Sequence, residues 1–200
     1  LTEETKEENP YRLLRIRGTA SKGGIVNRNN RLYPTEVLAK AVEKIQPKIR
    51  QGKFVGELDH PWDGGSLRSV AMKFTRVWME GDEMKFEADV IPTPSGELLV
   101  TLLRSGIGVG MSTRGYGSTK EENINGRLVR VVQDDFELVG IDAVLEESNP
   151  AGKISSFESK GGRIMDLETL KKEYPDLVTQ LEAEVKARIE KDLETQFEQK

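Results

Sequence analysis

Apolar and charged residues alternate most cleanly between Met84 and Ile91, where Phe86, Ala88 and Val90 interleave with Lys85, Glu87 and Asp89. A period of two sends one set to a buried face and the other to water, so this segment is predicted to be a strand with one wet side. A second apolar-rich run, Leu67 to Met79, precedes it, and Glu80-Gly81-Asp82 between the two predicts a hairpin turn. Tyr11 to Thr19, a stretch carrying Ser112, Arg127 to Val132 and Phe136 to Leu145 add further strands, and Asn125-Gly126 is a strong two-residue turn signal. The period lengthens after Thr35, a candidate N-cap, where Val37, Leu38, Ala41, Val42 and Ile45 recur at helical spacing; Pro47 is expected to disturb or end that helix. Pro94-Ser95-Gly96 leads into a short apolar helix, Glu97 to Arg104, that should end near Gly106. The pattern predicts an α+β, mainly β, fold: a core of strands with about two helices.

The same pattern divides the chain. Residues 1–10 are acidic and poor in large apolar side chains, which predicts a mobile tail. Residues 11–150 hold the strands and helices and should form one domain. Residues 151–164 are rich in Ser, Gly and Lys and read as a linker or loop. In residues 165–200 Leu170, Leu177, Leu181, Val185, Ile189 and Leu193 form a narrow apolar stripe among Glu and Lys, interrupted by Tyr174-Pro175. That is the signature of an amphipathic C-terminal helix, either scaffold-like or oligomerising, or packed on its own domain.

Composition narrows the chemistry. With 200 residues and 36% hydrophobic positions the chain can build one core, and with no cysteine it can form neither a disulfide nor a thiolate metal site. No stretch is apolar enough to span a bilayer, and a net charge of -4 argues against a nucleic-acid surface. A soluble protein of a reducing compartment with a polypeptide partner or substrate fits better. The start at Leu1 instead of Met fits a processed or trimmed piece of something longer.

His60 is the single histidine, in the run Gly56-Glu57-Leu58-Asp59-His60-Pro61. One imidazole without cysteines is too few ligands for zinc, so no metal or cofactor is expected. A lone histidine is more often a packing or surface residue, but its flanking carboxylates could orient it as a base. Downstream lies Gly108-Val109-Gly110-Met111-Ser112-Thr113-Arg114-Gly115-Tyr116-Gly117. It lacks the Gly-Lys-Ser/Thr ending of a phosphate loop. It reads either as strand bends and tight packing or as a nucleophile segment, in which glycines admit substrate to Ser112 and Arg114 with nearby backbone N–H groups supports an oxyanion. Without cysteine, serine attack with His60 as base is the main route to nucleophilic catalysis.

These residues carry a resemblance. Asn27-Arg28-Asn29-Asn30-Arg31-Leu32-Tyr33-Pro34, Gly56 to Pro61, Gly110 to Gly115 and Val139-Gly140-Ile141-Asp142-Ala143-Val144 follow one another in the order of the prohead maturation proteases of tailed bacteriophages, myovirus branch. The four motifs span about Tyr11 to Ala151 and leave both ends uncovered. The resemblance implies a small closed or partly closed β-barrel with surrounding helices, related to herpesvirus assemblin. It also implies a serine endopeptidase that cleaves scaffold and capsid proteins inside the assembling prohead, in the host cytoplasm. By that likeness His60 matches the histidine and Ser112 the nucleophile, while Arg114 and Gly115 support the oxyanion or substrate. Dimerisation, through the barrel or the C-terminal helix, would be in keeping with the herpesvirus relatives. Those relatives use a second histidine as third member, which this chain does not have. Asp142 is the first choice for that place, because an acid inside the apolar run Leu138 to Leu145 needs a partner once buried. It could instead cap a strand end or pair with an arginine. Asp59 and Glu57 lie nearer His60 in sequence but are expected to point away, and Asp134 and Asp135 read as hairpin surface charges. The alternative function is a non-catalytic capsid or scaffold assembly protein that keeps the protease fold.

Overall fold

A computed structural model describes residues 11–61 and 65–159. The expected acidic tail, 1–10, and the expected C-terminal helix, 165–200, lie outside the described residues. The chain divides into a unit Leu1–Lys160 and a second, Gly161–Lys200.

The strands are β1 (Leu14–Lys22), β2 (Arg31–Leu32), β3 (Val55–Glu57), β4 (Val70–Glu80), β5 (Glu83–Val90), β6 (Gly110–Tyr116), β7 (Thr119–Ile124), β8 (Arg127–Val132), β9 (Glu137–Val144) and β10 (Lys153–Ser159), with helices α1 (Thr35–Arg50) and α2 (Pro94–Arg104). The alternation in β5 does what its period requires: Met84, Phe86, Ala88 and Val90 are buried. The β4–β5 turn is made at Gly81 with φ 60°, and the β7–β8 turn at Asn125 and Gly126 with φ 53° and 82°, the paired left-handed residues of a tight hairpin. Helix α1 buries Val37, Leu38, Ala41, Val42 and Ile45 against the sheet, where Phe54, Phe74 and Phe86 meet edge to face at centroid distances of 5.3 and 5.8 Å.

Seven strands form one sheet in the order β3-β4-β5-β1-β10-β6-β9, and β2-β8-β7 form a smaller one. The large sheet curls until its two edge strands meet. Leu58, just past β3, bridges Ala143 of β9 in parallel, and the Asp59 N–H donates to the Ala143 carbonyl at 2.8 Å. Gly56 makes this approach possible, since a Cβ there would lie 2.2 Å from the Ile141 carbonyl oxygen. The result is the nearly closed, mainly β barrel with helices that the resemblance implies.

Three local expectations are corrected. Residues 153–159, read as part of a 151–164 linker, form β10, an inner strand paired with β1 and β6. Its polar sequence hides it, because its neighbours on both sides supply the pairing partners. Pro47 does not end α1, which continues to Arg50. The proline and Glu43, whose carbonyl loses its donor, are both exposed, so water can replace the missing bond. Thr35 is the first helical residue, not the cap: Pro34 holds the cap position with φ -57° and no side-chain bond.

Candidate active site

The site forms where the barrel closes. Ser112 of β6 and Asp142 of β9 are directly opposed residues in the β6–β9 pairing, which puts their side chains on one face. His60 reaches them from the other side of the seam. Asp59 adopts φ 56°, a left-handed turn that Asp tolerates better than most residues, and this bend turns the chain so that the His60 ring lies between serine and carboxylate. His60 Nε2 is 3.0 Å from Ser112 Oγ, and Nδ1 is 2.8 Å from Asp142 Oδ2. The His60 side chain remains 42% exposed while that of Asp142 is fully buried, and Ser112 is 3% exposed.

Asp142 gathers more partners than the ring. Arg114 Nε donates to its Oδ2 at 2.7 Å and Arg114 Nη2 to its Oδ1 at 3.3 Å, while the Glu57 backbone N–H donates to Oδ1 at 3.0 Å. Burial pushes the Asp142 carboxyl up, yet hydrogen bonds from His60, Arg114 and the Glu57 N–H, with the charge on Arg114, outweigh it and hold the group below the usual carboxylate range. Arg114 shares its guanidinium with Glu57, Nη2 to Oε1 at 3.2 Å. Burial works against the Arg114 cation, but Asp142 and Glu57 more than offset it. Gly140, opposite Arg114 across the strands, leaves the space: a Cβ there would sit 2.9 Å from Arg114 Nη2.

The chemistry available is proton transfer along one line. An Asp142 carboxylate fixes the tautomer with hydrogen on Nδ1, so Nε2 is left as acceptor for the Ser112 hydroxyl. Of the residues singled out in the sequence, His60, Ser112 and Asp142 are brought together. Both readings offered for Asp142, pairing with the imidazole and pairing with an arginine, are realised at once. Arg114 differs from expectation: its guanidinium is turned to Asp142 and Glu57, behind the ring. Gly115 lies where the β6–β9 register shifts after Arg114. Asp59 is exposed and gives its N–H to the barrel seam, Glu57 is buried against Arg114, and Asp134 pairs with Lys40 while Asp135 accepts from the Ser118 N–H. Two placements were not foreseen. Glu57, weighed in the sequence only as a neighbour of His60, pairs with Arg114, and the Ser148 hydroxyl lies 3.4 Å from Ser112 Oγ.

A family model described as prohead core protein serine protease matches residues 2–160. The chain belongs to the prohead core serine protease family. It is 32% identical over 161 residues to the prohead core protein protease of Enterobacteria phage T4, covering 78% of this chain and 74% of that protein. A solved structure of the bacteriophage T4 capsid assembly protease superposes with a TM-score of 0.60 at 32% identity, over 65% of this chain and 80% of the other. The family match spans the residues that build the barrel and its seam.

Proposed function

We propose that this member of the prohead core protease family is a serine endopeptidase that cleaves scaffold and capsid proteins within an assembling phage prohead, with Ser112 as nucleophile, His60 as general base and Asp142 as third member. The family assignment supports a protease of capsid maturation. The serine chemistry rests on one observation, the continuous line Ser112 Oγ, His60 Nε2, His60 Nδ1, Asp142 Oδ2 with spacings of 3.0 and 2.8 Å.

In this mechanism His60 Nε2 takes the Ser112 proton as Oγ attacks the scissile carbonyl carbon, and the charged ring then protonates the leaving amine. Asp142 stays ionised and stabilises the imidazolium through Nδ1–H. Water, activated by the same nitrogen, releases the acyl group. Arg114 and Glu57 act as positioning residues: they clamp the carboxylate from behind and fix its orientation toward the ring. A cleft of about 290 Å³ lined by Leu58, Leu98, Leu102, Ile107, Val109 and Leu145 adjoins the residues that flank His60 and Asp142, and offers apolar side chains of a substrate a place to lie.

The test is cleavage of purified scaffold protein or of peptides derived from it by the wild-type chain and by its Ser112→Ala and His60→Ala variants. Loss in both variants is expected. Equal cleavage by all three overturns the serine mechanism, and no cleavage by the wild type favours the non-catalytic assembly protein.

A further inference from the structure

The loop between β9 and β10 returns the chain to the nucleophile. At its centre Ser148 Oγ stands 3.4 Å from Ser112 Oγ, and among the described residues Ser112 is its hydrogen-bond partner. The loop is held from two sides. Asn149 is 4% exposed; its Nδ2 donates to Ser21 Oγ at 3.1 Å and to the Lys22 carbonyl at 3.0 Å, and its Oδ1 accepts from the Ala151 N–H at 3.1 Å. On the other side the Arg28 N–H donates to the Ser148 carbonyl at 2.8 Å, and the Arg28 guanidinium faces Glu147 at 3.5 Å and Glu146 at 4.0 Å. Arg28 belongs to a turn built on buried Asn27, whose Oδ1 accepts from the N–H groups of Asn29 and Arg31 at 3.0 and 2.9 Å. The Asn27-to-Pro34 run, which the proton line does not use, therefore fixes the segment that carries Ser148.

We propose that Ser148 is a further catalytic residue, whose hydroxyl donates a hydrogen bond to the substrate carbonyl oxygen as negative charge develops there. The proposal rests on the serine-protease reading. The Ser112 proton is directed at His60 Nε2, so in the contact between the two serines Ser148 is the donor and a lone pair of Ser112 Oγ the acceptor. On attack that oxygen bonds the carbonyl carbon, the π pair moves onto the carbonyl oxygen, and the Ser112 proton passes to Nε2. Ser148 keeps its own proton throughout. The new oxyanion lies one carbon away from Ser112 Oγ, so rotation about the Ser148 side chain carries the donor from one oxygen to the other. A 3.4 Å contact is loose for a hydroxyl pair, as befits a donor whose proper target forms only in the transition state. With Arg114 turned to Asp142 and Glu57, Ser148 is the side chain that meets Ser112 Oγ beside His60 among the described residues.

The experiment compares the full-length wild type with Ser148→Ala, Ser148→Thr and Ser112→Ala by steady-state peptide cleavage. It also follows the rate at which diisopropyl fluorophosphate labels Ser112, read by mass spectrometry, because the phosphoryl oxygen of that probe occupies the oxyanion position. Ser148→Ala is expected to lose about 10²-fold in kcat with little change in KM, to label more slowly, and to melt at the wild-type temperature. Ser148→Thr, which keeps the hydroxyl, restores most of the rate. If Ser112→Ala is inactive while Ser148→Ala cleaves as fast as or faster than wild type, the Ser148 role is overturned and the serine mechanism stands. If both Ser148 variants fail together with a lowered melting temperature, Ser148 serves packing and the proposal is overturned. If Ser112→Ala cleaves like wild type, the serine mechanism falls and takes the Ser148 role with it.

Discussion

Asp142 on β9 and Asp89 on β5 are nearly the same structural object in two regions of one barrel. Both are buried, at 0% and 1% exposure. Each is met by a forked arginine: Arg114 at 2.7 and 3.3 Å for Asp142, Arg15 at 2.8 and 3.2 Å for Asp89. Around Asp89 the fork completes a ladder of charge, with Arg17 on Glu87 next along β1 and β5, in the middle of a continuous stretch of paired strands. Asp142 sits at the seam, where a third strand end brings an imidazole and a backbone N–H to the same carboxylate. Burial and a guanidinium therefore make a structural acid; a titratable ring with a hydroxyl beyond it makes one that can do chemistry.

The sharpest way to break this comparison is to neutralise both acids. Asp142→Asn is expected to lower kcat/KM about 10³- to 10⁴-fold, because the amide favours the wrong ring tautomer, whereas Asp89→Asn should leave cleavage kinetics unchanged and lower the melting temperature. Full activity with an unaltered pH profile in Asp142→Asn would remove that residue from the mechanism. Next come the arginines, compared by urea unfolding. Arg114→Gln and Arg15→Gln each leave a buried carboxylate short of its charge partner and should each cost about 3 kcal/mol, but only Arg114→Gln should also slow cleavage.

Acid titration of stability separates the two regions again. The Asp142 carboxyl is held low in the folded chain, so its stabilising contribution is present above the unfolded-state value of about 3.9 and is lost as pH falls through the lower folded value. Glu87 follows the same sign: burial pushes it up, but Arg17 and Thr75 hold it below its ordinary value. Asp142→Asn and Glu87→Gln should each flatten the loss of stability below about pH 4, and Asp142→Asn alone should also change the rate of cleavage. The smallest effect is expected from Glu158→Gln, which removes an acid that is 56% exposed and paired with Arg17: about 0.5 kcal/mol or less, and no change in kinetics.

How much of this was legible follows from what local sequence can encode. The β5 alternation, the apolar positions of α1 and the Asn125-Gly126 turn are local properties, and each could be read from a handful of neighbours. His60 and Ser112 were legible by scarcity and by motif, and Asp142 because a charge inside Leu138 to Leu145 breaks an apolar run. β10 was not, since Lys153-Ile154-Ser155-Ser156-Phe157-Glu158-Ser159 has too few apolar residues to mark a strand, and its place between β1 and β6 is set by the sheet. The direction of Arg114 was equally hidden. Residue type and strand parity put it on the face of Ser112, but the space over Gly140 and the position of Glu57 across the seam exist only once the barrel has closed. Ser148 comes to the site by the return of a loop, which no spacing rule anticipates.

The closure of the barrel has a kinetic corollary. Ser112 and Asp142 share a ladder of paired residues across β6 and β9, but the backbone of the His60 segment meets β9 through the Leu58 bridge and the Asp59 N–H, beside the bonds that His60 and the Glu57 N–H make to the Asp142 carboxylate. Local opening draws first on the weakest connections, so the Asp59 amide should exchange its hydrogen with solvent deuterium well before those of Met111 to Thr113. Its protection factor then measures how often the imidazole leaves the serine, a local equilibrium that can silence the site while the rest of the barrel stays folded.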